Sequence, residues 1–324
     1  MKSSQRSFCL VAAALAIGFW IASASAQDYP SHVVKIIVPY PVGGATDITA
    51  RLVAEKLSQK WGVGVIVENK PGVNGVIGTE TVATAPPDGY TIGFVASSHV
   101  VNPALYKKLP FALADFKPVT VTTQVQMALV VNAQVPVNSV QELIKYIKDN
   151  PGKVNVATSG RGSNPELWAL AFQNMTGTKM QDIAYKGSGQ AHPDVIGGRV
   201  QVMFDAVPSI MPHVQSGKMK LLGVGGQKRS PYLPDVPTIA ESGVPNFYFT
   251  SWAAVIVPAK TPLAVIAKIN RDIVDVLRDP SLKDRLAGMS AEVIASSPAD
   301  ASAMMDAEEK RLTKLVHDVG VEPE

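Results

Sequence analysis

Val33-Val-Lys-Ile-Ile-Val38 runs directly into Pro39-Tyr-Pro-Val-Gly-Gly-Ala-Thr-Asp47, and a helical pattern starts immediately behind it. A β-branched apolar run bounded by a proline–glycine turn reads as a buried strand. The following residues read as a helix from Thr46 to Lys60, with Ile48, Leu52, Val53, Leu57 and Trp61 along one side. Strand, two-glycine turn and helix start together aim unpaired backbone N–H groups and the positive end of a helix dipole at one point. That is a seat for an anion. The residues alone also allow a turn that only fits the chain, with Thr46 or Asp47 as an ordinary N-cap.

Outward from this stretch, strands and helices alternate. Val63–Val67 and Thr91–Val95 read as strands, with a short helix at Val76–Thr84 between them and a turn at Pro86-Pro-Asp-Gly89. Ser139-Val-Gln-Glu142 is a capping box that opens a helix ending at Asn150-Pro-Gly152. Val154–Ala157 is a strand, followed by Thr158-Ser-Gly-Arg-Gly-Ser-Asn-Pro165 and a helix through Gln173. Val200–Phe204 and Lys220–Gly225 are later strands, and Ser297-Pro-Ala-Asp300 caps a long final helix. Such an order predicts an α/β fold with mainly parallel sheets and right-handed crossovers. The strand–glycine turn–helix device occurs at Val33–Asp47 and again at Val154–Pro165. Two extended segments, Phe116–Asn132 and Phe247–Val257, read as crossings between lobes. Domain I is therefore expected at 28–122 and 253–324, and domain II at 123–252, each lobe offering a glycine turn to a shared cleft beyond its strand ends.

The start of the chain reads differently. Lys2 and Arg6 precede an apolar run from Leu10 to Ile21, and Ala24-Ser-Ala26 supplies a small-x-small cleavage pattern, so residues 1–26 read as a signal peptide. An uncleaved N-terminal anchor is the alternative. The single cysteine, Cys9, falls inside this segment, so cleavage leaves no thiol, disulfide or thiolate metal site. Lys2 and Arg6 are the only charges there, so the formal net charge of +3 becomes +1 without them. No lysine–arginine cluster survives in the remainder, which argues against nucleic acid or an anionic membrane surface as a partner.

Further polar positions fall near the expected cleft. Gly160-Arg-Gly-Ser-Asn164 repeats the anion-seat argument, with Ser163 equally readable as a plain N-cap. Tyr185-Lys-Gly-Ser-Gly189 is a third polar turn, in which Tyr185 and Ser188 are either ligand contacts or surface. Asp205, just past a strand, suits a ligand amino or hydroxyl group or a helix cap. Ser97 and Ser98 follow the third strand at the cleft mouth. His32, His99, His192, His213 and His317 show no metal-ligand spacing. There is no Gly-x-Ser-x-Gly elbow, no phosphate-binding loop, no His-Glu-x-x-His and no dinucleotide fingerprint. No catalytic residue, metal or cofactor is expected.

Pro39-Tyr-Pro-Val-Gly-Gly-Ala-Thr-Asp47 with Ala50-Arg51, Glu68-Asn-Lys-Pro-Gly72, Pro87-Asp-Gly-Tyr-Thr91 and Ala184-Tyr-Lys-Gly-Ser188 form an ordered set of motifs. Gly197-Gly-Arg-Val200, Leu233-Pro-Asp-Val-Pro-Thr238 with Glu241-Ser-Gly243, and Pro258-Ala-Lys-Thr-Pro262 extend it along the chain. In these residues the chain resembles the Bug family, the periplasmic solute receptors of tripartite tricarboxylate transporters. The resemblance implies a two-lobed periplasmic binding protein, a monomer that closes on a small organic acid and delivers it to membrane permease subunits. It places ligand contacts at Tyr40, Gly44, Ala45, Thr46 and Asp47 in domain I and at Gly162, Ser163 and Asn164 in domain II. Ser97, Ser98, Tyr185 and Asp205 are further contacts by position. One departure stands out: where the family commonly has a His-Leu pair and then a Glu, this chain has Glu166-Leu167 and Leu170, with Trp168 between. A carboxylate at Glu166 is unfavourable beside a di- or tricarboxylate, so the expected ligand is a monocarboxylate, an aromatic acid that packs on Trp168, or an amine-bearing acid. A sensor for a membrane signalling partner and a periplasmic hydrolase are the rival functions.

Overall fold

The computed structural model describes residues 29–160 and 162–323, so the expected signal peptide lies outside the described residues. The first strand, β1 (Val34–Val38), leads through α1 (Ala45–Trp61) to β2 (Val65–Asn69) and through α2 (Val76–Ala83) to β3 (Thr91–Ala96). A short helix, α3 (Ser98–Leu105), precedes the 17-residue strand β4 (Phe116–Asn132). There follow α4 (Val140–Asp149), β5 (Asn155–Thr158), α5 (Asn164–Thr176), β6 (Gln181–Ala184), α6 (Ser188–Ile196), β7 (Val202–Ala206), α7 (Val207–Gln215) and β8 (Met219–Val224). The chain returns along β9 (Thr250–Pro258) and closes with α8 (Leu263–Leu277), α9 (Pro280–Gly288), β10 (Ala291–Val293) and α10 (Pro298–Asp318).

The parallel sets expected from the sequence are both present. On one side β1 pairs with β2 and β3, and on the other β5 pairs with β6 and β7, all in parallel. Between them runs β4. Its Phe116–Gln126 part lies antiparallel to β9, and its Met127–Asn132 part lies antiparallel to β7 and β8. β9 in turn pairs antiparallel with β3, so the sheet path reads β2-β1-β3-β9-β4-β7-β5-β6. The long extended segment after Phe116 thus carries the chain from one parallel set to the other. The inner parallel strands are buried between crossover helices: Ile36, Val38, Ile92, Phe94, Val156 and Val202 are inaccessible to solvent, while β2 and β6 at the two ends of the sheet path are more exposed.

One apolar cluster packs Val95, Val101, Phe116, Ile256 and Met305 beneath α10. Another packs Leu129, Leu143, Val156, Phe172, Phe204 and Phe247. In α1 the buried positions are Asp47, Thr49, Ala50, Leu52, Val53, Ala54 and Leu57. Ile48, expected on the apolar side, is instead 37 % exposed, because the polar positions Asp47 and Thr49 turn inward to bond the helix start. The structure also adds helices beyond the sequence pattern. α3, α6 and α7 contain Pro103, Pro193 and Pro212, residues that ordinarily break a helical reading. Among the described residues, no helix is long and apolar enough to cross a membrane.

Candidate ligand-binding site

The turn after β1 builds a helix start with no side-chain cap. Gly44 is the N-cap residue, with extended φ −73° and ψ 162°, and no side chain bonds the first turn from that position. Gly43 has φ +87°, a region that glycine enters without strain. Its N–H donates to Asp47 Oδ2 at 2.9 Å, so the downstream carboxylate folds back on the turn. Arg51 Nε donates to the same oxygen at 3.1 Å, and Asn69 Nδ2 donates to Asp47 Oδ1 at 2.8 Å. Burial would raise the Asp47 pKa, but the Arg51, Gly43 and Asn69 hydrogen bonds outweigh it and hold the carboxyl below its ordinary value. Asp47 is therefore an ionised buttress behind the turn. The N–H groups of Gly44, Ala45 and Thr46 meet no acceptor among the described residues, as the first turn of any helix dictates.

Those three residues form one wall of a cavity of about 620 Å³, together with Tyr40 and Val42. Tyr40 is fixed by hydrogen bonds to Ser98 Oγ at 2.8 Å and from the Ala96 N–H at 2.9 Å. Burial raises its phenol pKa against the opposing effect of these two bonds. The facing wall is the turn between β6 and α6, from Lys186 to Gln190, with His192, Asp205 and Ser209. Here the strand–glycine turn–helix device appears a third time: Gly187 has φ +150° and is the N-cap of α6. Two helix N-termini thus border one cavity, with Lys186 beside the second. Asp205 Oδ1 accepts the Ala206 N–H at 2.8 Å, and Oδ2 bonds His192 Nε2 at 2.9 Å. The His192 ring also meets His213 edge to face at 4.9 Å, and burial, followed by the neighbouring His192, lowers the His213 pKa.

The second expected cradle lies elsewhere. Gly162 N–H donates to Glu166 Oε2 at 2.5 Å, and Ser163 caps α5 by accepting the Glu166 N–H at 3.4 Å. Asn164 Nδ2 donates to Ser97 Oγ at 2.7 Å, and Asn74 Nδ2 donates to the Gly162 carbonyl at 3.2 Å. Gly162, Ser163 and Asn164 therefore join α5 to α3 and are not among the residues of the cavity wall. Their amide seat is filled by the chain's own Glu166. Ser97 is buried in this joint, 1 % exposed, while Ser98, 4 % exposed, bonds Tyr40 instead. Trp168, expected to stack on a ligand, is 2 % exposed and packs edge to face on Phe249 in the core. Tyr185 donates to Asp194 Oδ2 at 2.7 Å; burial, and then that bond, push its pKa up to about 12.

Of the expected contacts, the structure brings Tyr40, Gly44, Ala45, Thr46, Ser188 and Asp205 together around the cavity. Lys186 lies in the third polar turn read from the sequence, whereas Gln190, His192 and Ser209 join without a clear sequence signal. The polar strand Gln181–Ala184 hid the third device, because three of its four side chains are exposed and carry no strand pattern. His192 was readable only as four residues beyond Ser188 on one helix face.

Residues 49–321 match the family model described as the tripartite tricarboxylate transporter family receptor. The chain belongs to this receptor family. Protein BugT of Bordetella pertussis is 34 % identical, over 94 % of this chain and 96 % of its own length. An R. palustris protein solved with adipate is 33 % identical with a TM-score of 0.86, covering 92 % of this chain and all of its own. MatC from Rhodopseudomonas palustris, solved with bound malate, is 28 % identical with a TM-score of 0.81, covering 89 % of this chain and all of its own. The fold of this family receptor is accordingly the two-lobed periplasmic binding protein fold.

Proposed function

We propose that this family receptor works in the periplasm, captures a small dicarboxylate between two lobes and hands it to membrane permease subunits. The observation that carries this reading is the run of three N–H groups, Gly44 to Thr46, without acceptors among the described residues, on the wall of a cavity that the α6 N-terminus and Lys186 also line. One ligand carboxylate sits on the α1 cradle, where charge-assisted hydrogen bonds to aligned amides are worth about 1.5–3 kcal/mol each. The second is held by the α6 start and Lys186, while His192 hydrogen-bonds the nearby Asp205 carboxylate. Two such seats with modest packing reach the roughly 8 kcal/mol of a micromolar complex. The relatives solved with adipate and with malate are consistent with this chemistry. Glu166 and Trp168 were the grounds for expecting a monocarboxylate, and both are engaged away from the cavity. The lobes are assigned to 28–122 with 253–324 and to 123–252, and the receptor acts as a monomer without catalysis.

Titration calorimetry of residues 27–324 with adipate, malate and benzoate tests the reading. Either dicarboxylate should bind at least tenfold more tightly than benzoate and be recovered intact. Benzoate binding with no dicarboxylate binding would defeat it. Affinity capture of membrane proteins then separates a permease from a signalling kinase as the partner.

A further inference from the structure

A second cavity, of about 300 Å³, shares no lining residue with the first and is bounded by α3, β4, β9 and α10. Its interior is apolar, with Phe116, Met305 and Ile256 on the wall, and His99 lines it as well. His99 is 2 % exposed, and its Nδ1 is buried without a hydrogen-bond partner. The ring is wedged between Phe116, edge to face at 5.1 Å, and Phe111, stacked at 6.2 Å. A buried ring nitrogen with no partner is costly to keep, and native interiors rarely leave one. Burial pushes the His99 pKa down to about 4, so the ring is neutral near pH 7.

The other polar side chains of this cavity are Ser302 and two acidic residues. Asp306 and Glu309, one turn apart on α10, line it, and neither pairs with a cation among the described residues. Two unpaired carboxylates beside an apolar space favour a cation and repel the carboxylate solutes proposed for the first cavity. Nδ1 has almost no accessible surface, so a group in the cavity meets the ring at its other nitrogen, Nε2. There a hydroxyl, which both donates and accepts, suits a neutral imidazole in either tautomer. We infer that this cavity is a second ligand site, for a small amine with an aromatic body and a hydroxyl group. The body lies against Phe116 and Met305, the hydroxyl meets His99, and the ammonium meets Asp306 and Glu309.

Titration calorimetry of residues 27–324 with tyramine and with phenethylamine, which lacks the hydroxyl, tests the site. Tyramine should bind at least tenfold more tightly than phenethylamine. The Asp306→Asn/Glu309→Gln pair, confined to polar positions of α10, should weaken tyramine at least tenfold. His99→Leu should abolish the preference for tyramine over phenethylamine. Saturating adipate should leave tyramine binding unchanged. Absence of tyramine binding, equal affinity for the two amines, indifference to the acidic pair or displacement by adipate would each overturn the assignment, leaving a water-filled gap.

Discussion

At the scale of single residues, the α1 cradle can be tested by deleting one donor and little else. Ala45 is the first helical residue, so its N–H has no partner within the helix, and proline is well tolerated at that position. Gly44 already has the extended backbone that a residue before proline requires. Ala45→Pro should therefore leave the melting temperature nearly unchanged while removing about 1.5–3 kcal/mol of carboxylate affinity, at least tenfold in calorimetry. Unchanged affinity would remove the amides from the site. His99 supports a prediction of a different kind. Its pKa falls from 6.5 to about 4 on folding, so the unfolded chain binds a proton there that the native chain refuses. The stability gained from keeping the ring neutral is complete above pH 6.5 and is lost as pH falls toward 4, by about 3 kcal/mol in all. Urea melts at pH 7 and pH 5 should show a smaller loss for His99→Leu than for the natural chain. At pH 7 that variant should be neutral or stabilised, since the nitrogen it removes has no partner.

At the scale of elements, one device recurs at three helix starts. Asp47, Glu142 and Glu166 each take the N–H of the residue four positions before them: Gly43 at 2.9 Å, Asn138 at 2.6 Å and Gly162 at 2.5 Å. An acidic residue at the third helical position thus holds the incoming turn and also complements the dipole. The Ser-x-x-Glu spacing at Ser163 and Glu166 was present in the sequence and signalled a self-satisfied helix start rather than an anion seat. The α1 start has no such cap, and its glycine pair made the open seat legible. The α5 start does not line the cavity although its sequence reads alike, because one pattern, glycine turn then helix, serves both ends. Gly162 tests its structural part. It has φ +72°, and a Cβ there would lie 2.7 Å from Leu105 Cδ1. Leu105 can shift, so the backbone conformation decides the outcome, and Gly162→Ala should cost about 1–2 kcal/mol in denaturant melts. Carboxylate affinity should be unchanged if this turn is a joint and not a cradle.

At the scale of the whole molecule, the order of strands and helices was readable because most parallel strands are apolar runs between turns, Gln181–Ala184 being the polar exception. The path through the sheet was not. That β4 would pair with β9 along Phe116–Gln126 and then with β7 and β8 along Met127–Asn132 depends on contacts more than seventy residues apart. Local pattern has no access to such pairings. The same strand joins the two parallel sets, and each cavity wall rides on a different one. A ligand that contacts both walls favours the state in which they are close, and does so only by its differential affinity. Adipate at a hundred times its dissociation constant should add about 2.7 kcal/mol to the stability of the folded chain, which for this size is about 5 °C in melting temperature. Small-angle scattering under the same conditions should show a smaller radius of gyration, and Ala45→Pro should reduce both effects at equal adipate concentration. Stabilisation by adipate with no compaction would mean that the ligand fills a preformed cavity, and closure about β4 and β9 would have to be abandoned while the binding assignment survived.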